Sequence, residues 1–449
     1  MAQPSLPPGP RSLLPLREIR AIRRDVLGFL EHLKQTYGDF SCFRMGPKLV
    51  YFVSHPDLIH DVLVTHHRSF GKTWMLQTVS EALGNGMINS RGESNRRKRE
   101  LVMPALVKPR IPEYAETMVR VAERTARTWQ DGATVDMVQE MVRLTMAIGT
   151  ETLFGADIGE RADEVGSAIT EIFDVYARAR SPFGEIFERV RFLPARRRFD
   201  RAKELLDTTI YDLIDRRRRS GEERDDVLGV LLAARDEEGR AMTDRQLRDE
   251  AIAMFLAGHE TTTNLLAWLW CLLSQHPEAE AELHDELDSV LGGRLPEMAD
   301  VERLPFLRKA IYEALRLYPL SYVIPREVLD ACQLGPFTLR PGSLILAGIY
   351  SMHRDPRYWD EPDRFVPYRW TPEMKKQLHR HVYRPFGAGP HTCPGEHFAW
   401  VESTLAMAVL IQRWKARVVP GHTVTGNPIV FLRPRAPVPM TLTRRQSAR

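Results

Sequence analysis

A single cysteine stands in the run Phe386, Gly387, Ala388, Gly389, Pro390, His391, Thr392, Cys393, Pro394, Gly395, and the residue types around it suit a thiolate held against iron. Gly387 and Gly389 can take backbone angles closed to other residues and turn amide N–H groups toward the sulfur, while Gly395 lets the chain pass close beneath a flat macrocycle. A lone soft ligand in such a turn suits haem. A second constellation, Gly258, His259, Glu260, Thr261, Thr262, Thr263 and Asn264, lies between the apolar runs AIAMFLA and LLAWLWCLL. Polar groups there are unfavourable both for burial and for helix propensity, which marks them as a candidate site. Glu313 and Arg316 stand three apart in KAIYEALRLYP and so share one helix face.

The elements that must position these groups read as helices. Residues 395–413 carry Phe398, Leu405, Ala406, Val409 and Leu410 on an apolar stripe, and the positive end of that helix beside Cys393 favours a thiolate. Thr243, Asp244, Arg245 and Gln246 form a capping-box signature, followed by a helical pattern to Gln275 and a stop at Pro277. A helix of about 33 residues spans roughly 50 Å and is expected to be buried. Apolar residues at three-and-four spacing predict further helices over 118–129, 138–153, 168–179, 194–219 and 225–234. Short apolar runs over 40–53 around Gly46 and Pro47 read as a hairpin, with Ser54 capping the next helix. Strands are expected at 337–339, 343–349 and 429–432, and an irregular loop over 371–383.

No Ser/Gly-rich linker or repeat divides the 449 residues, so one domain is expected over 1–449, beginning with a Pro-rich segment at 1–20. With 63 basic against 59 acidic side chains the net charge is only +4, which gives no footing for nucleic acid. Cys42, Cys271, Cys332 and Cys393 form no CxxC pair and no CxxCH haem-attachment site, as expected in a reducing compartment. The N-terminus lacks an apolar run long enough for a signal peptide or a membrane span, so a soluble cytoplasmic protein is expected.

FGAGPHTCPG resembles the haem-ligand loop FxxGx(H/R)xCxG of the cytochrome P-450 monooxygenases, and AGHET resembles their AGx(D/E)T motif. The ExxR of Glu313 and Arg316, and the segment FVPYRW, similar to FxPxR(F/W), follow in the family's order. The resemblance implies the mainly α cytochrome P-450 fold, with a long central helix over haem and small β-sheets. It implies non-covalent haem b with Cys393 as axial thiolate, in a loop shaped by Phe386, Gly387, Gly389 and Gly395. Gly258 is then expected to leave room for dioxygen, Thr261 to hydrogen-bond it and Glu260 to pass protons with ordered water. The alternative for the threonines is a bond back to the carbonyl one turn earlier. Glu313, Arg316 and Arg369 are expected to form a buried network supporting the haem-side loop.

Haem propionates call for cationic donors, and the resemblance points to His391, Arg326 and Arg99. The family's WxxxR pattern fails here in its first residue, where Asn95 replaces Trp. The run Arg96, Arg97, Lys98, Arg99 is either a solvated face or a docking site for an acidic electron donor, and the runs 196–198 and 216–219 read as surface. Met254, Ala257, Leu265, Val323, Ile324 and Val430, with Trp74 and Phe173, fall where the family lines its substrate cavity and suggest an apolar terpenoid, fatty acid or polyketide. The implied activity is transfer of one oxygen atom from O2 to a C–H or C=C bond, as in secondary metabolism. Without a flavin or nicotinamide fingerprint, electrons would come from a ferredoxin or flavodoxin and its NAD(P)H-dependent reductase. The rivals are a peroxide-using or rearranging haem-thiolate enzyme and a non-catalytic haem sensor or carrier.

Overall fold

A computed structural model describes residues 6–10, 16–73, 83–106, 110–155, 164–169, 171–172, 194–222, 224 and 226–445. Trp74, Phe173 and most of the helix expected over 168–179 lie outside them. The chain divides into two compact units: Met1–Gln77 with Leu315–Cys393 and Val430–Leu432, and Thr78–Ala314 with Pro394–Ile429 and Arg433–Arg449.

The first unit is built on a five-stranded sheet. The expected hairpin forms between Phe40–Met45 and Lys48–Val53, in register from Phe40 opposite Val53 to Met45 opposite Lys48. Lys48–Val53 then pairs in parallel with Leu344–Ala347, which pairs antiparallel with Ile324–Val328, and Phe70–Gly71 closes the edge. Phe29, Leu30 and Leu33 of helix Val26–Tyr37 pack with Phe43, Val50, Phe52 and Leu344 of this sheet. Burying each such side chain contributes about 1.5–3 kcal/mol.

Four expectations are corrected. The helix Pro56–His60 is capped by His55, whose Nδ1 accepts from the Asp57 N–H at 3.2 Å. Ser54 instead still belongs to the hairpin, its N–H donating to the Asp39 carbonyl and its Oγ to the Asp39 carboxylate. Within the expected loop 371–383, Pro372–Gln377 is a helix: Thr371 caps it by accepting from the Met374 N–H, and Pro372 presets its first turn. It buries no residue, so no apolar stripe announced it. The strand expected at 429–432 is a bend between strands Gly426–Pro428 and Leu432–Pro434. The strand expected at 343–349 is shorter, Leu344–Ala347, and Ile349 begins the helix Ile349–His353.

The second unit is helical around Asp244–Gln275, which begins with both halves of the capping box: Gln246 N–H donates to Thr243 Oγ1 and Thr243 N–H to Gln246 Oε1. At 32 residues it is about 48 Å long. It packs along Met137–Phe154, while Glu396–Arg413 packs along Ile111–Thr128. The rings of Trp129, Trp270 and Trp414 meet in the core, each neighbouring pair 6.0 Å apart. A three-stranded sheet sets Pro439–Arg444 between Thr134–Asp136 and Trp414–Val418.

The basic run 216–219 is not all surface. In helix Pro194–Ser220, Arg217 is buried, its guanidinium forking onto the Asp226 carboxylate and donating to the Phe154 carbonyl at 2.9 Å. Asp226 caps helix Val227–Ala233, so the arginine joins three helix ends. Arg196 is likewise mostly covered, paired with Asp200, whereas Arg198 meets Glu171 at the surface. Among the described residues no helix is long and apolar enough to cross a membrane.

Candidate active site

The cysteine loop belongs to the first unit. Gly389–His391 forms one tight turn, Thr392 N–H donates to the Gly389 carbonyl at 3.0 Å, and Cys393 N–H donates to the Phe386 carbonyl at 2.9 Å. Two positive φ angles make the loop possible, +73° at Gly387 and +72° at Gly389. A Cβ on Gly389 would lie 2.2 Å from the Leu63 carbonyl oxygen, so no other residue fits there. Ile324 lies beside Gly387, its Cδ1 3.7 Å from the place a Cβ would take. Phe386, His391 and Cys393 are all half-buried, and two residues past the sulfur Gly395 caps the helix Glu396–Arg413.

Arg326, on strand Ile324–Val328, is partly buried, and burial pushes its guanidinium pKa down to about 10. Its one hydrogen bond goes to the carbonyl of Pro325 at 3.0 Å, and among the described residues no carboxylate pairs with it. A cation removed from water without a counter-charge is costly. The anionic edge of haem would supply that charge, and Cys393 in its glycine turn the axial donor. These residues therefore fit the cofactor.

Glu313 and Arg316, in helix Pro305–Leu317, are both 0% exposed. Arg316 donates to the carbonyls of His353 (2.9 Å), Pro362 (2.6 Å) and Arg364 (3.0 Å), and its guanidinium lies 5.2 Å from the centre of the Trp359 ring. Arg369, expected in the same buried network, is less buried than Glu313 and Arg316. It is half-buried and reaches the carbonyls of Asp360 and Glu361. Sequence reasoning missed His353, which is fully buried, stacks on Tyr383 and accepts the Arg384 N–H on Nε2 at 3.0 Å. Burial holds its pKa down at about 3, so it is neutral.

On the central helix of the second unit the polar cluster is almost wholly satisfied. His259 sits between Thr145 Oγ1 (2.8 Å) and Thr263 Oγ1 (3.4 Å), and burial holds it neutral with a pKa of about 3. Thr262 donates to the carboxyl of Glu402 at 3.0 Å. Burial raises the Glu402 pKa to about 8, so that side chain is mainly protonated at neutral pH. Sequence reasoning missed Glu402, an acid set in the apolar stripe of helix Glu396–Arg413. Glu260 is buried, accepting from Asn264 Nδ2 at 3.2 Å with Arg433 at 3.9 Å. Thr261 donates to the Ala257 carbonyl at 2.6 Å, so the bond back one turn is formed.

Between Leu247 and Leu273 every residue of this helix is buried except Ala257, Gly258 and Thr261. These lie at i, i+1 and i+4 and so share one face. A Cβ added to Gly258 would meet nothing within 4 Å. Met254 and Leu265 are buried beside this open face.

Arg99, on helix Gly92–Leu106, is half-buried and lines a surface depression of about 670 Å³ with Arg96, Glu100, Met103, Pro104 and Arg110. Asn95 is buried and donates to the Met87 carbonyl at 2.6 Å, so it holds the 87–90 turn. The basic run is partly neutralised locally: Arg96 pairs with Glu93 and Glu100, Arg97 with Glu93, and Lys98 donates to the Asn85 carbonyl. Of the apolar candidates in the first unit, Val323 packs on the sheet core, while Ile324 and Val430 are half-exposed. Gly258, Glu260, Thr261 and Arg99 thus stand in one unit, and Cys393, His391 and Arg326 in the other.

The family model for cytochrome P-450 matches residues 7–441. Cyclooctatin synthase of Streptomyces melanosporofaciens is 38% identical over 91% of this chain and 89% of its own. Cyclooctat-9-en-7-ol 5-monooxygenase of the same organism is 35% identical over 92% and 90%. A solved cyanobacterial P-450 with bound retinoic acid superposes with a TM-score of 0.87 at 24% identity, covering 99% of this chain and 100% of that one, and so shares the mainly helical fold. This chain belongs to the cytochrome P-450 family: it is a haem-dependent monooxygenase that works with O2 and redox partners, its haem ligated by a cysteine thiolate.

Proposed function

We propose that the chain, working as one catalytic domain over residues 1–449, hydroxylates or epoxidises an apolar terpenoid, with Cys393 as the thiolate and Arg326, His391 and Arg99 meeting the propionates. The observation that carries this reading is the uncovered face of Ala257, Gly258 and Thr261 on a helix otherwise buried from Leu247 to Leu273. Haem supplies the oxygen-activating redox chemistry when bound. The chain's own part is to leave space at Gly258 and to handle protons at Glu260 and Thr261. Because the Thr261 hydroxyl spends its hydrogen on Ala257, its lone pairs remain to accept one. Glu260, held by Asn264, is the nearby acid of the relay. The terpenoid class is supported by the name of the second relative, which describes oxygenation at carbon 5 of an unsaturated alcohol. A ferredoxin or flavodoxin with its NAD(P)H-dependent reductase is the proposed electron source, in a cytoplasmic setting.

Polycyclic terpene alcohols, long-chain fatty acids and macrocyclic polyketides, titrated into the ferric enzyme, separate the substrate classes. The terpene alcohols are expected to give the low-spin to high-spin shift and, with a redox chain, a product heavier by one oxygen. A shift with fatty acids alone would overturn the class. Thr261→Ala is expected to keep its haem and ferrous–CO spectrum while product formation falls on the order of 10²-fold and the electrons appear as peroxide. Unchanged coupling, or full turnover on peroxide without a redox chain, would favour the peroxide-using alternative.

A further inference from the structure

We propose that the stacked imidazoles of His60 and His381 are a proton-sensitive positioning pair for the cysteine loop, keeping it in its ligating form only while the stack is uncharged. The proposal rests on Cys393 as the iron ligand. All the groups concerned lie in the first unit. The two rings are 3.8 Å apart and inclined by only 14°. His60 ends helix Pro56–His60 and leads directly into the wider turn Asp61–Thr65. His381 belongs to a short turn in which Val382 N–H donates to the His379 carbonyl.

Protonation of this stack is poorly provided for. His381 Nδ1 accepts from Arg384 Nη2 at 2.8 Å, which leaves its proton on Nε2. That nitrogen and His60 Nδ1 are both buried without a hydrogen-bond partner. The titratable and charged groups facing His381 are His60, Arg384 and Arg380, which oppose a second positive charge, Asp57, which favours it, and the edge-on ring of His379 5.8 Å away. Asp57 is already engaged by His379 at 3.3 Å, and its N–H by His55. Tyr358 adds only a hydroxyl 3.5 Å from His55 Nε2. A stack of two neutral rings is stable, but two charged rings with one shared acid repel.

The stack reaches the loop through backbone. Leu63, in the turn that follows His60, places its carbonyl against Gly389 so closely that a Cβ there would come within 2.2 Å. Gly389 in turn accepts the Thr392 N–H, one residue before the sulfur. Releasing residues 379–384 from His60 frees the Asp61–Thr65 turn and, with it, the support of Gly389.

Burial, then His60, Arg384 and Arg380, hold the His381 pKa down at about 4 against 6.5 unfolded. A base with a depressed folded pKa adds stability above pH 6.5 and loses it progressively as pH falls toward 4. The test uses the holoenzyme, reduced under carbon monoxide from pH 8 to pH 4, with hydrogen exchange of the 386–394 and 56–65 peptides followed in parallel. The red-displaced Soret band is expected to fade, and both peptides to open, inside that window. His60→Phe/His381→Phe keeps two stacked rings without protons and is expected to move both transitions down by on the order of one pH unit. A purely structural role predicts no movement, and unchanged midpoints would overturn the proposal. If the double variant fails to hold haem, His60→Phe alone removes the like charge while sparing the Arg384 bond, and it must move the transition in the same direction. Absence of the displaced band from wild type at pH 8 would refute the ligand assignment, whereas the exchange readout would still report on the stack.

Discussion

Cys393→Ser is expected to fold and to lose oxygenation completely. The loop is closed by the Cys393 N–H on the Phe386 carbonyl, a bond that does not involve the side chain, so the backbone keeps its shape. Serine offers a hard hydroxyl that stays protonated at neutral pH and donates little electron density to iron. The reduced, CO-bound protein is expected to lack the red-displaced Soret band, with no product under redox turnover. Unfolding of the haem-free variant should stay within about 1 kcal/mol of wild type, as for a side chain only half-buried. A variant that retained the displaced band would show that another residue ligates the iron.

Arg316→Met has the next largest expected effect, on folding rather than on chemistry. Its guanidinium satisfies the carbonyls of His353, Pro362 and Arg364 in a fully buried place. Methionine fills much of the volume but donates nothing, so three buried acceptors lose their partner. Breaking a buried charged cluster costs about 3–5 kcal/mol, a large share of the roughly 5–15 kcal/mol that holds a domain folded. Denaturant unfolding and haem retention after expression check it. Arg316→Lys is expected to rescue poorly, because a point ammonium cannot fork to three separated carbonyls. Arg369→Met should cost about 1–2 kcal/mol, since its side chain is only half-buried. Equal losses in Arg316→Met and Arg369→Met would contradict this ranking.

The buried groups around the central helix show how such a chain tolerates polar residues in its core. His259 is matched by Thr145 and Thr263, Thr262 by Glu402, and Glu260 by Asn264. Each pair removes the penalty of an unsatisfied group, and between Leu247 and Leu273 only Ala257, Gly258 and Thr261 are not buried.

What sequence by itself determined here was everything carried by short spacing. Ten consecutive residues define the cysteine loop, four define the capping box of the central helix, and polar side chains interrupting an apolar run mark Gly258 to Thr261 as a stretch apart from ordinary core. Tertiary structure alone decided the pairings between distant positions. Thr262 and Glu402 lie 140 residues apart, and Thr145 and His259 lie 114 apart. The same holds for the burial of Arg217 against Phe154, the half-exposure of Arg369, and the contact of Leu63 with Gly389. Local pattern records which residues share a face of one element. Which two faces meet depends on how the whole chain packs, and only there do charge, burial and partner become defined together.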